Sequence, residues 1–279
     1  MLDVRWEPSL REMLLSITGL IQLEVLGELL KTRFGLEADF DQPTVVYMET
    51  PAQSGTGFVA YTMPKPCWAV IELAFEPLER GSGVVFESVV NPNQMLPRYQ
   101  EHIRQCLPRA LRQGPLGWQV TDVKITLTGG HHHQFHTHPL DFFVATPMAV
   151  MDGLTRAGTT LLEPYMRFEA HVPEKCGPQI IGEVLLMRGQ VDDSHVDADG
   201  IVLCGVVPLA TSLNFPVYLA SAASGKGTLF EQFDSYRPCP LELGRQAPYR
   251  GVHPLDTARY ILAARGALSD ELAAHEQSV

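Results

Sequence analysis

Residues 129–142 read GGHHHQFHTHPLDF, and five of the chain's ten histidines, His131, His132, His133, His136 and His138, fall within them. Imidazoles so crowded suit three chemistries: metal ligation, acid–base work, or contact with nucleic acid by stacking and hydrogen bonding. Zinc accepts imidazole readily, and the pair His136–Thr137–His138 at the end of a strand can supply two ligands. A zinc-dependent hydrolase or metal-binding protein using HHHQFHTH is therefore one reading. Successive side chains on an extended chain point to opposite sides, so HHH does not converge on one ion without a special turn. A hydrolase also needs a distant ligand, and His102, His171, His195 and His253 stand in no supporting motif. The other reading is an exposed polar loop carrying one aromatic, Phe135.

The rest of the chain offers little competing chemistry. ASAASGKGT (220–228) looks like a phosphate-binding loop but has Ala220 where the Walker pattern needs glycine and Gly227 where it needs Ser or Thr. No G-x-S-x-G occurs, and DADG (197–200) lacks calcium-loop spacing. Glu87, Asp141 and Glu163 are carboxylates without a visible partner. These residues form no convincing active site, so no catalysis and no cofactor are expected of this chain.

The elements that must position the histidine run follow from periodicity. WQVTDVKITL reads as a strand entering it, and PLDFFVATPMAVMDGLTRAG as a helix leaving it, with Pro147 an expected irregularity. Upstream, LDVRW and MLLSIT are strands, Leu20, Leu23, Leu26, Leu30 and Phe34 fall at helical spacing up to a Gly35 stop, and TVVYME returns as a strand. This is the latter part of a split βαβ sandwich lacking its first strand and helix. PAQSGTG (51–57) is a linker. GFVAYT, WAVIELAFEPL and VVFESVV are strands, and a helix spans about 98–113 with Pro108 inside it. From Glu163 the order is strand, helix from Pro173–Glu174, hairpin around DADG, helix over about 208–223, and strand, the βαββαβ order of a ferredoxin-like sandwich. LDTARYILAARGAL closes as a helix, and ELAAHEQSV is expected to fray.

Composition bounds the class. The chain has 279 residues and a formal net charge of −11, which argues against coating nucleic acid over the whole surface. Acids dominate from Asp3 to Glu79. Bases dominate from Arg98 to Lys124, and again from Arg245 to Arg265, so RNA would be met at chosen places. The scattered, odd set Cys67, Cys106, Cys176, Cys204 and Cys239 points to free thiols in a reducing compartment. No apolar run reaches membrane-spanning length, and no signal peptide opens the chain, so a cytoplasmic location is expected.

Longer stretches resemble a known family. LLEPYMRFEAHVPEKCGPQIIGEVLLMRGQV and VPLATSLNFPVYLASAASGKGTLFEQFDSYRPCP are similar to the final domain of elongation factor G and its relatives. GLIQLEVLGELLKTRFGLEADFDQPTVVYMET resembles their third domain. GSGVVFES, GPLGWQVTDVKITL and RAGTTLLEP resemble their fourth. The run Gly117–Trp118–Gln119–Val120–Thr121–Asp122, the PKPCWA stretch and the basic terminal helix around Asp256–Arg259–Tyr260 look like the ribosomal-protection tetracycline resistance branch.

The resemblance implies an α+β chain. It would hold a partial ferredoxin-like third domain (1–50), a ribosomal-protein-S5-like α/β fourth domain (51–162), a ferredoxin-like fifth domain (163–240) and a C-terminal extension helix and tail (241–279). It implies a tip loop at 129–139 that reaches the decoding centre of the small ribosomal subunit and touches ribosomal RNA through His131, His132, His133, Gln134, Phe135, His136 and His138. Resistance factors carry a Tyr-Ser-Pro-Val type sequence there, and Phe135 stands in place of its proline. Arg104, Arg109, Arg259 and Arg265 are further candidate RNA contacts. GTP and magnesium would belong to the GTPase domain of a full-length parent, which is also an expected partner.

Overall fold

The computed structural model describes residues 3–7, 12–17, 21–41, 44–63, 67–198 and 200–267. The expected turn at 8–11, Gly19, the prolines at 64 and 66, and the tail from 268 lie outside them. In chain order the elements are β1 (Asp3–Glu7), β2 (Glu12–Ser16), α1 (Ile21–Leu29), β3 (Met48–Pro51), β4 (Gly55–Met63), β5 (Cys67–Pro77), β6 (Val84–Ser88), α2 (Pro97–Ala110), β7 (Gln119–Val120), β8 (Val123–His132), α3 (Pro139–Ala157), β9 (Thr159–Val172), α4 (Gly177–Leu186), β10 (Gln190–Val196), β11 (Ile201–Pro208), α5 (Leu209–Ser212), α6 (Phe215–Ala222), β12 (Thr228–Pro238) and α7 (Thr257–Ala264). They form two compact units, one of residues 1–46 and 163–237, the other of 47–162 and 238–279. Among the described residues no helix is long and apolar enough to cross a membrane.

In the first unit, β1 and β2 pair antiparallel with Trp6 opposite Met13. Helix α1 runs into a π-helical turn, Leu30–Phe34, which ends at Gly35 with φ 65°, a conformation glycine adopts without a Cβ penalty. The larger part follows the βαββαβ order, with strands arranged β12-β9-β11-β10. Ile180 and Val184 from α4 and Phe215 and Leu219 from α6 pack on Phe168, Ala170, Leu203 and Val207 of that sheet. The single helix expected over 208–223 is two pieces, because Pro216 sits in the first turn of α6 and cannot donate to a preceding helical turn. Glu163, buried, receives both terminal nitrogens of Arg188 at 2.9 Å.

The second unit holds the sheet β4-β5-β8-β6, antiparallel except for β6 with β8. Helix α3 lies against β4 and β5 at two glycines, Gly153 of the helix and Gly57 of β4. A Cβ on Gly153 would stand 2.1 Å from the Phe75 ring, and one on Gly57 2.1 Å from the Ala149 carbonyl. The helix runs through Pro147 without a break. Proline removes the N–H that would bond the Phe143 carbonyl. The Cys106 thiol of α2 donates to that carbonyl instead, at 3.5 Å.

Two expectations about strands are corrected. WQVTDVKITL is two strands, because Asp122 turns the chain at φ 53° so that its buried carboxylate accepts the N–H groups of Gly81 and Gly83 and meets Arg80. TVVYME begins its strand only at Met48 and pairs with β7 and with the first residues of β9 rather than with β1 and β2. Glu49 explains the placement. Its fully buried carboxylate accepts the N–H groups of Leu116 and Trp118 and the Thr159 hydroxyl, the last at 2.6 Å. The turn 114–118 so held also takes the returning C-terminal segment. Trp118 Nε1 donates to the Arg245 carbonyl at 2.6 Å, and Gln113 pairs with the Arg250 backbone in both directions.

Two outcomes follow from this packing. Gly153→Val is expected to cost the second unit about 1–3 kcal/mol in chemical denaturation, the usual penalty of overpacking a filled core. Burial pushes the Glu49 carboxyl above its ordinary 4.5, against the lowering effect of Thr159 and the backbone donors. The folded state therefore binds this proton more tightly than the unfolded chain. That contribution is full below the unfolded value and is lost as pH rises through the higher folded one. Measured by melting temperature, the wild type should gain on Glu49→Gln as pH is lowered from neutral into that window.

Candidate functional site

The loop between β8 and α3 is built from its two ends. Along β8, His132 stands opposite Ala69 and His131 opposite Val70 of β5, and an irregularity lies at Glu72/Leu73, where Thr128 is skipped. Gly130, at φ 135°, lies so close to β5 that a Cβ would stand 2.3 Å from the Val70 carbonyl. The chain can therefore turn toward α3 only with glycine there. At the far end, Pro139 occupies the first turn of α3 and Asp141 follows at its third position, an arrangement that suits a helix start.

Asp141 is fully buried and collects three donors. The backbone N–H of His138 reaches it at 2.8 Å, the backbone N–H of Trp68 at 3.0 Å, and the Arg265 guanidinium at 2.6 Å. One carboxylate thus ties β5, the end of the loop, the start of α3 and the residue closing α7. Arg265 also donates to the Tyr61 hydroxyl at 2.5 Å. Burial, with a further push from Cys67, raises the Tyr61 phenol to about 12, so it stays protonated. The one buried residue of the loop, Thr137, accepts from the His133 N–H at 2.8 Å and donates to the Trp68 carbonyl at 2.6 Å.

On this mount the side chains separate by parity. His131 and His133 flank the Trp68 indole, with ring centroids at 6.2 and 5.4 Å. His132 points the other way, to the Tyr99 ring at 5.2 Å and to the Gln94 carbonyl at 3.0 Å from its Nδ1. His133 and His136 lie ring against ring at 4.4 Å. Gln134, Phe135, His136 and His138 are exposed, Phe135 at 79 %. The zinc reading is corrected here. Among the described residues no group of three or more His, Cys, Asp or Glu side chains is gathered to hold a metal. Strand alternation splits the first three imidazoles, and His138 is drawn to the start of α3.

The predicted arginines fare unevenly. Arg104 is exposed on α2 and chelated by Glu101, and Arg109 is exposed on the same helix. Arg259 lies 3.9 Å from Asp256. Arg265 donates to both Asp141 and Tyr61, which makes it a structural tie within the second unit. Sequence reasoning missed Trp68, Tyr99, Thr137 and the role of Asp141. Pro139 followed by Asp141 was the available signal for the last, as a helix start; the other three had none.

Residues 43–158 match the family "Elongation factor G, domain IV", and residues 160–247 match "Elongation factor G C-terminus". The tetracycline resistance protein TetP of Clostridium perfringens is 29% identical over 93% of this chain and 40% of its own length. TetO of Streptococcus pneumoniae is 30% identical over 83% of this chain and 36% of its own. TetM from transposon Tn916 of Enterococcus faecalis is 28% identical over 91% and 40%. The chain thus spans well under half the length of these relatives. A crystal structure of a protein from Thermus thermophilus superposes with TM-score 0.72 at 23% identity, over 95% of this chain and 38% of that one, and shares the fold. The chain belongs to the elongation factor G family, carrying its domain IV and then its C-terminal domain, and it corresponds to the C-terminal part of the tetracycline resistance proteins.

Proposed function

We propose that this chain is the ribosome-binding C-terminal part of a ribosomal-protection translation factor. In this reading the loop from His131 to His138 reaches the decoding centre of the small subunit in the cytoplasm. The observation that carries it is an exposed Phe135, flanked by exposed imidazoles, on a loop whose two ends are tied down by Asp141 and Thr137. RNA bases that are splayed out of helices stack on phenyl and imidazole faces and bond to their edges, which is what such a loop offers. A fixed mount lowers the ordering cost of that contact, because the side chains are presented before binding.

The chain itself needs no cofactor and performs no bond chemistry in this account. GTP and magnesium act in a GTPase domain of the longer protein, which would drive binding and release. Arg104, Arg109 and Arg259 add contacts to phosphates at a distance from the loop. Phe135 stands where the resemblance places a proline, so in this reading stacking takes the part of a rigid turn residue.

The direct test is sedimentation of the chain with ribosomes. Phe135→Ala with His136→Ala is expected to weaken binding about tenfold or more, the loss of roughly one stacked base. Unchanged binding would remove the loop from the interface. Arg104→Gln with Arg109→Gln should instead lower the slope of log affinity against log salt by about one to two, with little effect on the loop.

A further inference from the structure

We infer that His133 folds the tip loop, and that it does so only as the neutral imidazole carrying its proton on Nε2. The backbone N–H groups of Phe135 and His136 both point at His133 Nδ1, at 3.2 and 3.3 Å. Two donors converging on one ring nitrogen require a lone pair there, so Nδ1 bears no hydrogen and Nε2 does. The neighbouring ring is fixed the other way. His132 Nδ1 lies 3.0 Å from the Gln94 carbonyl, which can only accept, so that nitrogen carries the hydrogen. Adjacent histidines are thus held in opposite tautomers by opposite partners.

His133 does here what Asn and Asp do in turns, where a side-chain acceptor takes the N–H two residues on. Its own backbone is held while it does so, by the Thr137 hydroxyl on its N–H and by the Thr137 N–H on its carbonyl at 3.1 Å. Around the ring stand the Trp68 indole of β5, the Phe135 ring, and the His136 imidazole, which is the titratable group facing it. An imidazolium has a hydrogen on both nitrogens and accepts nothing. Protonating His133 therefore strips the acceptor from two N–H groups and sets a charge beside His136. His132 can be protonated and keep its bond. Acid releases the turn that presents Phe135 while leaving β8 in place. His133 is accordingly a positioning residue for the aromatic contact, a role that rests on the ribosome reading; the tautomer and the turn do not.

Nitrogen-labelled free chain tests both parts. Long-range proton–nitrogen correlations of the imidazoles, recorded from about pH 8 to about pH 5, should show Nδ1 bare in His133 and protonated in His132 at the upper end. Hydrogen exchange at the Phe135 and His136 amides should be slowed about fivefold or more relative to His133→Ala, and the slowing should fade as pH falls. His133→Asn, an acceptor that does not titrate, should restore the protection and make it independent of pH. A proton on His133 Nδ1, or equal protection in His133→Ala, would overturn the inference. Ribosome binding unchanged in a His133→Ala protein whose loop amides exchange freely would overturn the positioning role alone.

Discussion

A single carboxylate carries the arrangement that matters most. Asp141 sits fully buried at the start of α3 and is neutralised by Arg265 from the C-terminal end of α7 while it takes the backbone N–H groups of Trp68 and His138. A buried carboxylate left unpaired is costly, and that cost makes the tie specific, since the site is favourable only with its donors in place. Strand β5, the loop end, α3 and the C-terminal segment are consequently registered against one another at the base of the histidine loop. Glu49 does the same elsewhere in the unit, joining β3, the turn 114–118 and Thr159. The two acids hold backbone where packing alone would leave choices.

The consequence for function is a loop that is polar, aromatic and fixed. Its imidazoles look like a metal site when written in a row. In three dimensions they are partners of Trp68, Tyr99, Gln94 and of the loop's own backbone. Family membership and geometry agree in kind. A chain matching elongation factor G domain IV carries an exposed loop where β8 runs out toward α3. In the proposed reading that loop acts through the side chains left outside, Phe135 above all.

The helices illustrate how local rules bend to their surroundings. Pro147 was expected to disturb α3, yet the helix continues because a thiol from α2 satisfies the carbonyl that the ring orphans. Pro216 does divide the run 208–223, lying where the first turn of a new helix tolerates it. The same residue type gives opposite outcomes, and the difference lies in what stands alongside.

The sequence by itself determined the α+β class, the βαββαβ order after Glu163, the Gly35 stop, and the parity that keeps His131, His132 and His133 from converging. These depend on neighbours within a few residues, whose spacing is visible in a linear string. Tertiary structure alone decided the partners of the acids. Glu87, Asp141 and Glu163 had no visible partner in the sequence, and each is paired, with Lys124, Arg265 and Arg188 respectively. Lys124 and Arg188 stand dozens of residues from their acids and Arg265 more than a hundred, so no periodicity could reveal them. The same limit hid the second partner of Arg265, the Tyr61 hydroxyl, the transfer of β3 to the second unit, and the tautomers of His132 and His133. A tautomer is chosen by which atom lies opposite each nitrogen, and that is fixed only when the chain has folded.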